Sequence, residues 1–133
     1  MKIVVGSRFL GESFCTDLAS DFPSVNIAAA YEPVDQRREI ADADGFLGWP
    51  DRESFLSASR LRWIHVPGMG LDRLEKVPEI AASNVVITNS PGPHTNPMAD
   101  HAMAMILSLA HCVRDLIEDQ TVKSWDTNKY AGR

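Results

Sequence analysis

Cysteine, clustered basic residues and long apolar runs are all scarce in this chain. Of 133 residues only two are cysteine, Cys15 and Cys112. They stand far apart, in segments that read as helices, and match no metal-binding or redox spacing. Both therefore read as reduced, buried small hydrophobes. Thirteen Lys and Arg face eighteen Asp and Glu, giving a formal charge of −5 and a pI near 5.2. Basic residues come singly except for the pair Arg37 and Arg38. With no stripe able to displace counterions from phosphates, nucleic acid is excluded as a partner. No apolar run approaches the ~20 residues that span a bilayer, so no membrane partner is expected. The chain reads as entering a strand directly after Lys2, with no secretory signal, so a cytoplasmic location is expected. Its length is that of one domain able to bury a core without disulfides or metals.

What is present is a repeating alternation. Residues 2–6 (KIVVG) read as a strand buried on both faces, and residues 9–22 as a helix that Pro23 ends. Strands follow at 25–30, 45–48, 62–66 and 85–88, with helical segments at 34–41 and 53–59 and a helical or irregular stretch at 72–82. Short strands alternating with helices imply parallel pairing through right-handed crossovers, hence an α/β fold with an open doubly wound parallel sheet of about five strands. Ligands of such sheets bind beyond the carboxyl ends of the strands. The loops in that position are residues 6–8, Trp49 and Pro50, residues 67–70, and residues 89–96.

The stretch 85–119 organises the rest: strand, turn-forming loop, long helix. Asn96 can cap that helix and Pro97 fits its first position. Met98, Ala102, Met105, Ile106, Leu109, Val113 and Leu116 make an apolar stripe, with Asp100, Ser108, His111, Asp115 and Glu118 on or near a polar one. About 22 residues at 1.5 Å each would run roughly 33 Å, more than one small sheet needs for cover. Residues 121–133 lose the periodicity and read as a linker.

Two loops hold the candidate binding residues. PGMGLD, residues 67–72, follows a strand and has two glycines flanking one side chain, so its backbone can approach a ligand and turn amide hydrogens toward a small carboxylate. Taken alone, it also reads as a tight turn chosen for its conformation. In NSPGPHTNP, residues 89–97, three prolines stiffen the chain around His94, as a binding or acid–base imidazole would need. Taken alone, His94 reads first as a solvated or locally hydrogen-bonded loop residue. His65 sits inside a strand and reads as packed, and His101 and His111 lie on the long helix. Asp100 and His101 are adjacent and face different ways, so no metal set forms. His111 and Cys112 are also neighbours, and neither can easily activate the other. Neither GxGxxG nor GxxxxGK(S/T) occurs, which leaves this chain without a recognisable nucleotide site.

Two segments together carry a resemblance. LRWIHVPGMGLDRL is similar to the strand and loop of the D-isomer-specific 2-hydroxyacid dehydrogenases, of the form LkwIq..gAGvDhl. VVITNSPGPHTNPMADHAMAMILSLAHCVRD resembles that family's later v.vtN.pG.n...vAEh.lalilalaR. Trp125, Tyr130, Gly132 and Arg133 match the W....y.gr that follows. The resemblance spans roughly the whole chain and is specific from Leu61 onward. It implies a flavodoxin-like substrate lobe over residues 1–120, with residues 121–133 starting a linker to a Rossmann lobe that binds NAD or NADP. It also implies that small 2-oxo or 2-hydroxy carboxylic acids are processed between the lobes. The backbone of Gly68, Met69 and Gly70 would hold the substrate carboxylate, His94 would join them, and the long helix would cross toward the cofactor lobe.

The sequence departs from the family pattern at three points. His94 stands where asparagine is common, Ala99-Asp100 where the family has AE, and His111 where arginine is frequent. The family's glycine-rich cofactor loop, substrate-binding arginine, catalytic histidine and its partner carboxylate would lie beyond Arg133. No catalytic, cofactor-binding or metal residue is therefore assigned here. The expectation is a substrate lobe cut short of its Rossmann lobe, inactive alone, binding no dinucleotide, and able to form homo-oligomers through the uncovered helix. The alternative is a stand-alone flavodoxin-like binding or signalling module such as a phospho-receiver. Receivers need clustered acids after the first strand, where this chain offers Gly6, Ser7 and Arg8.

Overall fold

The computed structural model describes residues 1–11, 13–92, 94–126 and 128–130. The chain divides into two compact units, Met1–Pro91 and Gly92–Arg133. Pro93, Gly132 and Arg133, all used in the sequence reading, lie outside the described residues.

In the first unit the elements alternate as the apolar pattern requires: β1 (Lys2–Val5), α1 (Phe14–Asp21), β2 (Asn26–Ala29), α2 (Pro33–Ile40), β3 (Gly45–Leu47), α3 (Arg52–Ser57), β4 (Trp63–Val66), α4 (Asp72–Glu75), α5 (Pro78–Ala81) and β5 (Val86–Asn89). The sheet is five-stranded, wholly parallel, in the order β2-β1-β3-β4-β5. That is the flavodoxin-like order.

Alternation along the strands sends side chains into two cores. Val4, Phe46, Ile64 and Val66 pack with Ile40 of α2, Leu74 of α4 and Ile80 of α5. Ile3, Val5 and Leu47 face the other way, onto Leu10 and onto Phe14 and Leu18 of α1. The helix read over residues 9–22 is broken. A 3-10 turn covers Arg8–Leu10, Gly11 takes φ 90°, and α1 starts only at Phe14. Ser7 Oγ accepts the Phe9 amide at 3.2 Å and holds that turn, a local side-chain bond that competes with helix.

The amino ends of the strands carry a charge cluster. Asp44, just before β3, accepts the Lys2 amide at 2.8 Å and Arg60 Nη2 at 2.9 Å on each oxygen. The Lys2 amide and then the Arg60 guanidinium hold its carboxyl below the usual aspartate range. These bonds tie three strand entrances together, and the open loops lie at the opposite, carboxyl end.

The second unit is helical: α6 (Thr95–Ala110) and α7 (Val113–Thr121). The long helix is present, but α6 has 16 residues, about 24 Å at 1.5 Å per residue. His94, not Asn96, is its N-cap. Between the helices Cys112 adopts φ 50°, ψ 37°, a left-handed conformation uncommon for a residue with a Cβ. No glycine or proline marks the break, so the apolar spacing runs straight through it and hides it. None of the residues in α6 or α7 is buried. Both cysteines are half-buried, not buried as expected. Cys15 Sγ lies 3.5 Å from Tyr31 Oη, and that polar contact sits at the margin of the second core. Among the described residues no helix is long and apolar enough to cross a membrane.

Candidate functional site

Beyond the carboxyl end of β4 the chain makes a tight turn, with Gly68 N–H donating to Val66 O at 2.8 Å. The next two peptide units are tied to the end of β5. Ser90 N–H donates to Gly68 O at 3.1 Å, and Asn89 Nδ2 donates to Met69 O at 3.0 Å. In a trans peptide the N–H points opposite to the C=O. Drawing both carbonyls toward β5 therefore turns the Met69 and Gly70 amide hydrogens away from it. Neither amide has a partner among the described residues. Two successive free amides on one side of a turn are the donor arrangement that anion-binding concavities use. Of the three amides that the sequence offered to a carboxylate, two are open and that of Gly68 is engaged.

The side chains around this loop come from three strand ends. The Trp49 ring, after β3, would lie 3.7 Å from a Cβ on Gly68, an ordinary contact distance that places the indole beside the loop. Arg73 Cζ sits 5.1 Å from the centroid of the same ring. Asp72 Oδ2 would be 2.9 Å from a Cβ on Gly70. Below the loop, His65 is half-buried in β4. Its Nδ1 meets Thr88 Oγ1 at 2.9 Å and its Nε2 meets Ser90 Oγ at 3.1 Å. Far from being merely packed, His65 has both ring nitrogens bonded and braces Ser90, whose amide holds Gly68. Sequence reasoning missed Asn89, Ser90 and Arg73 as individual residues, because their partners are 20 or more positions away or on a neighbouring strand.

His94 belongs to the second unit, where it is exposed and caps α6 through its backbone, Met98 N–H donating to His94 O at 2.9 Å. A hollow of about 700 Å³ also lies in that unit, lined by Leu116, Asp119, Trp125 and Tyr130 among others. Asp119 accepts Lys129 Nζ and Tyr130 Oη, so its charge is already matched from within. The Met69–Gly70 loop remains the better place for an anion. No group of three or more His, Cys, Asp or Glu able to hold a metal is found among the described residues.

Among the described residues neither glycine segment has the glycine-rich turn and following helix that cradle a pyrophosphate. The glycine after β1 serves packing, since a Cβ on Gly6 would lie 2.1 Å from Phe46 Cζ. The glycines of residues 67–72 lead only into the four-residue α4, too short to offer a pyrophosphate the helix end it needs.

A direct check on the loop is Asn89→Ala. It is expected to lower stability by about 1 kcal/mol and to raise backbone mobility at Met69 and Gly70 in heteronuclear NOE measurements. Unchanged NOE values there would mean that the carboxamide does not set the peptide orientation.

The sheet order and the loops at its open end define a flavodoxin-like α/β domain. No family model matches the chain. In sequence it is 30% identical over 76 residues to D-3-phosphoglycerate dehydrogenase of Synechocystis sp., covering 57% of this chain and 14% of that protein. In fold it is similar to a D-isomer-specific 2-hydroxyacid dehydrogenase family protein from Aeromonas salmonicida, with TM-score 0.77, 22% identity, and coverage of 98% of this chain and 42% of the other. D-lactate dehydrogenase from Aquifex aeolicus, solved with NAD and lactic acid, gives TM-score 0.75 and 16% identity over 100% of this chain and 41% of that one. The chain thus spans about a seventh of the curated relative and about two fifths of each solved chain. Over that part, its resemblance to the D-isomer-specific 2-hydroxyacid dehydrogenases, a family of oxidoreductases, is borne out in sequence and in fold.

Proposed function

We propose that residues 1–120 are the substrate lobe of an NAD(P)-dependent oxidoreductase that interconverts a 2-oxo acid and a D-2-hydroxy acid. Residues 121–133 begin the linker to the dinucleotide-binding lobe. The observation that carries this reading is the pair of carbonyls, Gly68 O and Met69 O, tied to β5, which leaves two amides aimed outward. A carboxylate accepts two such hydrogen bonds through its two oxygens, and charge-assisted bonds of this kind are about twice as strong as neutral ones. Gly68 closes the turn through its N–H to Val66 O, and His94 is assigned to the substrate on the resemblance alone. The grip orients the acid so that its C2 carbonyl projects from the loop. Hydride and proton come from groups outside these residues, and the 133-residue chain by itself binds the acid without converting it.

The test is an NMR titration of the ¹⁵N-labelled chain with pyruvate, with pyruvamide as the neutral control, and then with NADH. Pyruvate is expected to shift the Met69 and Gly70 amides while pyruvamide does so far less. NADH is expected to leave the spectrum unchanged, and no NADH is consumed when both are present. Dinucleotide binding at micromolar concentration, or turnover by the chain alone, would overturn the division of labour.

A further inference from the structure

Arg73 is placed where a substrate-selecting residue would be. It is exposed and makes no ion pair among the described residues. Its guanidinium is nevertheless held on a platform, 5.1 Å from the Trp49 ring centroid. Trp49 in turn packs against the first core and reaches to 3.7 Å from the Cβ position of Gly68. A stacked guanidinium keeps its N–H edges free for a carboxylate or phosphate, which it can bind through two parallel bonds. The electrostatics run the same way. Asp72, whose carboxylate lies beside Gly70, repels any anion seated on the loop, and the neighbouring Arg73 offsets that repulsion.

Resting on the carboxylate grip proposed above, we propose that Arg73, held on Trp49, selects 2-oxo acids bearing a second anionic group. The 2-oxo carboxylate sits on the Met69 and Gly70 amides, and the second group pairs with the guanidinium. The recognised class is thus dicarboxylic or phosphorylated 2-oxo acids, in preference to monocarboxylic ones of similar size.

The experiment compares pyruvate, 2-oxoglutarate and phosphonopyruvate as NMR titrants of the 133-residue chain, Arg73→Met and Arg73→Lys. In the unmodified chain at least one dianionic acid binds about tenfold or more tightly than pyruvate and alone shifts the Arg73 Nε–H and Trp49 indole signals. Which of the two does so distinguishes carboxylate from phosphate as the second group. Arg73→Met, which keeps an unbranched stem on Trp49, weakens pyruvate only a few-fold, through the Asp72 repulsion it uncovers, and weakens that acid by a further roughly tenfold, to about the pyruvate level. Arg73→Lys keeps a part of the preference. If pyruvate shifts Met69 and Gly70 but neither dianionic acid binds more tightly, the selection is wrong and the grip stands. An equal loss for all three acids in Arg73→Met likewise removes the selective role. If no acid shifts the two amides, the grip is wrong and the selection falls with it.

Discussion

Gly6→Ala lowers the thermal midpoint by roughly 10–20 °C, through an overpacking cost of about 2–3 kcal/mol in a domain of this size. A Cβ on Gly6 would lie 2.1 Å from Cζ and 2.7 Å from Cε1 of Phe46. Neither partner can retreat. Phe46 has no exposed surface and is enclosed by Val4, Ile64, Ile40 and the rest of the first core. The backbone at Gly6 is pinned by its own N–H, which donates to Leu47 O at 2.8 Å. Gln36 Nε2 holds the Gly6 carbonyl as well, at 3.1 Å. Phe46→Leu removes the ring atoms in the way, at a cost of its own of about 1–3 kcal/mol for the lost packing. The double variant is then expected to be more stable than the sum of the two changes predicts by about 1 kcal/mol or more. Urea denaturation of the four proteins measures that difference. Strict additivity would show that the clash is relieved elsewhere and that Gly6 is not fitted to this ring.

The second large effect concerns assembly. At micromolar concentrations the chain is expected to sediment as dimers or larger species, and Ile106→Gln with Leu109→Gln is expected to return it to a monomer. Leu109 is 80% exposed and Ile106 57% exposed, and Met98, Met103, Met105 and Leu107 of α6 are exposed with them. Single exposed apolar residues are ordinary. A contiguous set on one helix is different, because surface apolar patches beyond a few hundred Å² drive association. Removing two branched side chains from this set takes away a large part of its exposed apolar surface. Sedimentation velocity across a concentration series reads the outcome, and a clean monomer before substitution would mean that the patch does not associate.

Periodicity made most of the sheet legible. Val4 and Val5, and Phe46 and Leu47, alternate between the two cores, and Ile64 and Val66, two positions apart, share the first, as apolar strand residues must; prolines and glycines punctuate the connections. Loops at the carboxyl ends follow from parallel topology, so the position of residues 67–70 is legible in the sequence alone. The kink at Cys112 was not legible, since the apolar spacing of residues 105–116 continues through it. Nor was the engaged amide of Gly68, which depends on how tightly the turn after β4 closes.

The amino-acid sequence by itself determined the α/β class, the number of strands, the position of the glycine pair and the likeness to the hydroxyacid dehydrogenases. All of these rest on local spacing and on residue types read in order. Only the tertiary structure decided which amides face outward, that Asn89 and Ser90 turn them, and that Arg73 shares a ring with Gly68. Those facts depend on strand register and on side chains reaching between strand ends, and hydrogen bonds between residues 20 positions apart leave no periodic trace in a chain.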